Sequence, residues 1–159
     1  MSKHKIFRQQ SNEQQTQYTR EARLQYDPDL VNESVRRWNS YSKVEQELVM
    51  DESNAIYEDL ARAIDEGKSP TSEEVAVILD RWQDNIRHFY EPTLEVLAGL
   101  GDLYNTSPDF IANFEKLHTE LPAFLQNAIA HYVDELETEE IKRLLADDDA
   151  DSARRRLSD

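Results

Sequence analysis

The stretch Thr71-Ser-Glu-Glu-Val-Ala-Val-Ile-Leu-Asp-Arg-Trp-Gln-Asp-Asn-Ile-Arg-His-Phe-Tyr-Glu-Pro-Thr93 decides the fold class. Its apolar residues Val75, Leu79, Trp82, Ile86 and Phe89 recur at steps of 4, 3, 4 and 3. A helix brings such positions onto one face, whereas a strand would need a step of two. Thr71-Ser-Glu-Glu74 reads as a capping box at the start, and Pro92 ends the pattern. A helix with one apolar stripe must bury it against other elements.

Neighbouring segments read the same way. Towards the N-terminus, Ser42-Lys-Val-Glu45 is another capping box, opening a helix with Val44, Leu48, Ile56, Leu60 and Ile64 near one face. Gly67 ends it and Pro70 blocks continuation. Before it, Asp29 is placed to cap a short helix carrying Val31, Val35 and Trp38, ending near Asn39-Ser40. Towards the C-terminus, Thr93 caps a helix that is apolar on two faces, with Leu94, Leu97 and Tyr104 on one and Val96, Leu100 and Leu103 on the other. Such a helix belongs in the centre of a bundle, with Gly99 and Gly101 allowing a close neighbour or leaving room for a ligand. Ser107-Pro108 starts a helix with Phe110, Ile111 and Phe114, and Leu121-Pro122 starts the last long one, through Leu136. The fold class is therefore all-α, with about five to seven helices.

Of 159 residues only 3 are glycine and 5 proline, too little turn punctuation for a β-rich fold. The absence of cysteine excludes disulfides, thiolate metal sites and a cysteine nucleophile. The longest clean apolar run is Val75–Leu79, far short of a membrane span, and the start Met-Ser-Lys-His-Lys-Ile-Phe-Arg has no apolar core of a signal peptide. The expected location is cytoplasmic. Net charge is −15, unevenly spread: residues 1–40 carry 7 basic and 5 acidic groups, 41–136 carry 6 and 20, and 137–159 carry 5 and 8. The acidic middle repels phosphate backbones, which argues against direct nucleic-acid binding, and the slightly basic N-terminal part can lie against the acidic body. The organisation read from these shifts is a flexible arm (1–25), a ligand-binding domain (26–137) and a charged, solvated tail (138–159), in which Ile141, Leu144 and Leu145 make a helical turn or two.

Several blocks together resemble the TipAS antibiotic-recognition domain, the effector domain of TipA-type MerR regulators. They are Tyr26-Asp27, Glu33-Ser34-x-Arg36-Arg37, Tyr41-Ser42-Lys43 and Ala55-Ile56-Tyr57; then Phe89-Tyr90, Glu95 and Gly99-Leu-Gly-Asp-Leu-Tyr104; then Asp109-Phe110 and Leu121-Pro-Ala-Phe-Leu-Gln-Asn-Ala-Ile129. The resemblance implies a globin-like helical fold without haem. It also implies a cleft for bulky, hydrophobic, peptide-like antibiotics, and an N-terminal part that orders when ligand binds. Family regulators carry an N-terminal helix-turn-helix and coiled coil, for which residues 1–25 are too short, so the expectation is a stand-alone binding domain that sequesters or senses its ligand. Thiopeptide-binding members carry a cysteine just after the Phe-Tyr pair; Pro92 stands there, which excludes covalent capture at that position.

Candidate ligand contacts are Trp38, Trp82, Phe89, Tyr90, Leu94, Leu97, Tyr104, Phe110 and Phe114. At helical spacing each of these serves equally as core; as a cleft wall, the tyrosines and tryptophans add polar tips to apolar bodies. Pro92 and the two glycines suggest a gap beside Phe89-Tyr90, closed by residues 26–41. Arg36-Arg37 is read as pairing with the acidic body, or as a clamp on an anionic ligand. No catalytic set emerges: there is no Gly-x-Ser-x-Gly elbow, and the carboxylate pairs sit at helix ends. Glu115-x-x-His118 and His131-x-x-x-Glu135 each offer two ligands, too few for a closed metal site, so no metal or cofactor is assigned. The competing readings are a module that grips a partner's amphipathic helix, and a tetrapyrrole carrier using His88 or His118. The charge distribution predicts no retention of duplex DNA by micromolar protein at low salt; retention in a mobility-shift assay would contradict it.

Overall fold

The computed structural model describes residues 28–158. Among the described residues there are six helices: α1 (Pro28–Ser40), α2 (Lys43–Asp65), α3 (Glu73–Ile86), α4 (Leu94–Tyr104), α5 (Pro108–Glu115) and α6 (Leu121–Ser158). No strand occurs among the described residues. The expectations for residues 1–27 lie outside them.

Local chemistry sets most boundaries. The Ser42 capping box is fully formed: Ser42 Oγ accepts from the Glu45 amide, and the Glu45 carboxylate accepts from the Ser42 amide. Gly67 closes the end of α2 at φ 75, a left-handed conformation that only glycine adopts without strain. Thr93 Oγ1 caps α4. Pro108 occupies the first turn of α5, behind its N-cap Ser107.

The structure shifts four expectations. The cap of α3 is Ser72, which accepts from the Val75 amide, so the Thr71 capping box does not form. Asp29 lies inside the first turn of α1, where its charge complements the helix dipole. Val44 and Leu48 are exposed, because at about 100° per residue they fall on the face of α2 opposite the buried set Val49, Ile56, Tyr57 and Leu60. The charged tail is helical: α6 continues unbroken to Ser158. No proline or glycine follows Pro122, and Glu140–Arg143 and Asp151–Arg154 ion pairs line the extension.

The first half of α6 is the axis of the core. Leu121, Leu125, Ala128, Ile129, Tyr132 and Val133 are buried, and this segment packs against α2, α3, α4 and α5. The closest partner is α4, where Gly101 explains the approach: a Cβ there would lie 2.9 Å from Ile129 Cγ2. Gly101 thus makes room for α6 rather than for a ligand. The Tyr132 hydroxyl clasps α3, donating to Asp80 at 2.6 Å with the Gln83 amide oxygen 2.8 Å away. Arg81 joins α3 to α2 through Asp59 (2.7 Å) and Glu52 (3.0 Å).

Gly101→Ala should destabilise the protein by about 1–3 kcal/mol in chemical denaturation, because a fully buried β-branched side chain must move. In an Ile129→Ala background the same change should cost much less; an equal cost in both backgrounds would show that the Gly101–Ile129 contact is not the reason for the glycine.

Candidate functional site

The nine candidate contacts separate into three groups. Trp82, Leu97, Tyr104 and Phe114 are buried in the core. Tyr90, Leu94 and Phe110 are half-buried and packed against that core. Trp38 and Phe89 pair with each other: their rings stack at 5.1 Å and 22°.

The core group is an aromatic hub linking four helices. Trp82 Nε1 donates to the Tyr104 hydroxyl at 3.3 Å, and the Tyr57 hydroxyl lies 3.5 Å from the same oxygen. Phe114 meets Tyr57 at 4.8 Å and Tyr104 at 5.2 Å, both edge-on. Phe110 leans on Tyr104 (5.1 Å) and stacks on Phe114 (6.0 Å). Tyr57, from α2, is not among the nine candidate contacts, although it stands in the Ala55-Ile56-Tyr57 block beside buried Ile56. Phe110 is the member of this hub that reaches towards the surface.

The second centre is the corner between α3 and α4. Helix α3 stops at Ile86, four residues earlier than Tyr90, and short i→i+3 bonds carry the chain on: His88 N to Asn85 O, Phe89 N to Ile86 O. Glu91, preceding Pro92, is disfavoured in helical geometry, so the chain has already unwound. Phe89 therefore leaves the Trp82 stripe and meets Trp38 instead. Around this pair, Tyr41 Oη lies 3.1 Å from His88 Nδ1 with the rings edge-on, and Arg37 donates to the Arg87 carbonyl at 3.2 Å. Gln46 donates to the Trp38 carbonyl at 2.8 Å. Arg37 also pairs with Glu33 at 2.7 Å, so its carboxylate partner is in its own helix rather than in the acidic body.

These contacts sit at the C-terminal end of α1. Among the described residues α1 packs lengthwise along no other helix, and Val31 is its one buried residue, with Leu30, Val35 and Trp38 half-buried.

Neither of the other histidine readings gains support. His118 bonds Asp65 at 3.0 Å through Nε2 and receives the Glu120 amide on Nδ1, so both ring nitrogens are engaged, and this contact accounts for Asp65 at the end of α2. His131 lies 3.6 Å from Glu135. No group of three or more potential metal ligands occurs among the described residues. No described helix is long and apolar enough to cross a membrane.

With the geometry in place, the chain can be compared with known proteins. The family model of the TipAS antibiotic-recognition domain matches residues 18–132. The HTH-type transcriptional activator mta of Bacillus subtilis is 30% identical over 126 residues, covering 79% of this chain and 48% of that protein. The HTH-type transcriptional regulator SkgA of Caulobacter vibrioides is 34% identical over 92 residues, covering 57% of this chain and 36% of the regulator. The chain thus spans about half the length of the first relative and about a third of the second. No solved structure matches it.

The hydroxyls of the core make an alkaline test. Burial raises Tyr104 above its ordinary value of 10.0. Burial, then Asp80, raises Tyr132 as well. A phenol held neutral in the folded state contributes stability that is complete below pH 10 and is lost as the unfolded chain ionises above it. Denaturation midpoints should therefore fall as pH rises past 10, and Tyr132→Phe should flatten that fall; an unchanged slope would remove Tyr132 from the account. At pH 7, Tyr104→Phe should cost about 1–3 kcal/mol because the buried Trp82 N–H loses its acceptor.

Proposed function

Because the chain belongs to the TipAS antibiotic-recognition domain family, we propose that it is a non-catalytic binding domain for a bulky hydrophobic or amphiphilic small molecule, an antibiotic among them, acting by sequestration or sensing. The observation that carries this reading is α1. It is an amphipathic helix that meets the α3–α4 corner through Trp38 on Phe89, with Leu30, Val35 and Trp38 only half-buried.

The ligand would enter between α1 and the body, against Phe89, Tyr90, Leu94 and Phe110, with Tyr104 and Phe114 as the wall behind. Trp82 and Leu97, like Tyr104 and Phe114, then support the contact from behind instead of touching the ligand, because all four are buried without one. Apolar rings provide the contact area, while the tyrosine hydroxyls give orientation. A ligand filling the angle under α1 would supply the apolar contact that the helix lacks, so binding and tightening of α1 would be one event. The relatives' transcription-regulator names fit sensing by such a movement.

A panel of hydrophobic, peptide-like antibiotics screened by thermal shift tests the reading. A true ligand at 100 times its dissociation constant should add about 2.7 kcal/mol of stability. Trp38→Ala and Tyr90→Ala should each weaken that ligand by about 1–3 kcal/mol while the helical circular dichroism is unchanged. Stabilisation by an amphipathic peptide but by no member of the panel would favour a protein-interaction module, and normal binding by Tyr90→Ala would place the ligand elsewhere.

A further inference from the structure

Beyond Leu136, the last residue packed on the core, α6 projects as a helix to Ser158. Leu125, Ile129, Tyr132 and Leu136 mark its inner side. Ile141, Leu144 and Leu145 fall on its outer side at helical spacing and are 58%, 57% and 61% exposed. Ala123, Asn127, Ala130 and Asp134, on the same outer side, are exposed as well, so this side of α6 is open alongside the domain body and beyond it. The apolar patch is flanked by a row of charge. Glu135, Lys142, Asp149 and Arg156 stand seven residues apart, are all exposed, and alternate in sign. Residues seven apart share a flank of the helix, and the supercoil of a helix pair removes the drift of about 20° per heptad.

Such a row is complementary to its own reverse. In an antiparallel pair of identical helices related by a two-fold axis, the same flank of each copy meets. Glu135 then faces Arg156 of the partner and Lys142 faces Asp149 of the partner, each pair occurring twice. One register satisfies both, with the axis passing between Leu145 and Ala146. That register brings Leu144 and Leu145 of the two copies together at the centre, with Ile141 on either side. On the other flank Glu140 comes opposite Asp151 of the partner, but each already holds an arginine of its own helix: Arg143 lies 3.9 Å from Glu140 and Arg154 lies 3.0 Å from Asp151. Asp148 shares the outer side and falls beside the partner's Leu144, which weakens the pair. A parallel, in-register pair would instead set each charge of the row on its own kind, which is unfavourable. From Glu135 to Arg156 the paired length is about 32 Å, at 1.5 Å per residue.

We propose that the occupant of the Ile141–Leu145 patch is a second copy of this chain, the two α6 extensions pairing antiparallel through the Glu135–Arg156 and Lys142–Asp149 contacts. The surface uses no residue of the α1 corner, lies outside residues 18–132, the part matched by the TipAS family, and is independent of the ligand reading. Sedimentation of the full-length protein over a range of concentrations tests it. Lys142→Glu and Asp149→Lys should each weaken the dimer about tenfold or more, because each puts like charges together twice. Combined in one chain they should restore it to within about threefold, since the row is again complementary to its reverse. Glu135→Arg and Arg156→Glu should behave in the same way. Asp148→Leu should tighten the dimer about tenfold, because it adds an apolar side chain between the two copies. Residues seven apart in one helix do not touch, so rescue by the combined changes can come only from the other chain. A protein monomeric up to about 1 mM would overturn the proposal and leave the patch to a different protein. A dimer indifferent to the single reversals, or combined variants no better than the single ones, would overturn it too, by placing the contact elsewhere. These side chains lie off the core, so an unchanged melting transition of the domain should accompany every variant.

Discussion

The approach of α4 to α6 at Gly101 and Ile129 is the contact on which the rest of the fold depends. With no side chain at Gly101, the two helix backbones come close enough to bury Ile129, Leu125 and Leu97 completely. Helix α6, fixed in this way, presents further faces to α2, α3 and α5. Tyr132, one turn beyond Ile129, then clasps α3 through Asp80. The other helices join this pair; helix propensity alone would leave them marginal in water.

The aromatic residues fall into a buried hub and a partly exposed corner. Tyr104 is the polar centre of a buried hub, its oxygen taking the Trp82 N–H with the Tyr57 hydroxyl nearby. Buried donors must find acceptors, so these three positions are coupled in chemistry as well as in packing. Phe89 and Trp38 form a smaller, more exposed contact, where burial is partial. An element held by such a contact opens at lower free energy than the core. The proposed response of the α1 corner to a ligand would draw on that difference in stability.

Charge is arranged on a longer scale. The carboxylates of the body are mostly at its surface, with ion pairs such as Arg81–Asp59 contributing modestly in solvent. On the projecting part of α6 the acids instead surround apolar side chains with no core beneath them. Apolar side chains exposed singly need no explanation; Ile141, Leu144 and Leu145 instead lie within two turns, among Glu137, Glu140, Asp147 to Asp149 and Lys142.

The sequence by itself determined the helical class, the breaks at Gly67, Pro70 and Pro92, the Ser42 cap, and the stripe from Val75 to Ile86. Those are local matters of periodicity, missing amide donors and side-chain hydrogen bonds. It also carried the family resemblance, which the match over residues 18–132 shows. Tertiary structure decided the rest. Phe89 continues the stripe in sequence yet turns to Trp38, because the chain unwinds ahead of Pro92 and its direction there depends on α1. Val44 and Leu48 repeat at helical spacing yet face solvent, because the core meets α2 on the side of Val49, Ile56 and Leu60, and the drift of a four-residue repeat carries positions 44 and 48 away from that side. Trp82, Tyr104 and Phe110 looked alike as aromatic candidates; only packing showed two to be buried and one to reach the surface, since burial depends on the neighbours that a helix meets and not on its own periodicity.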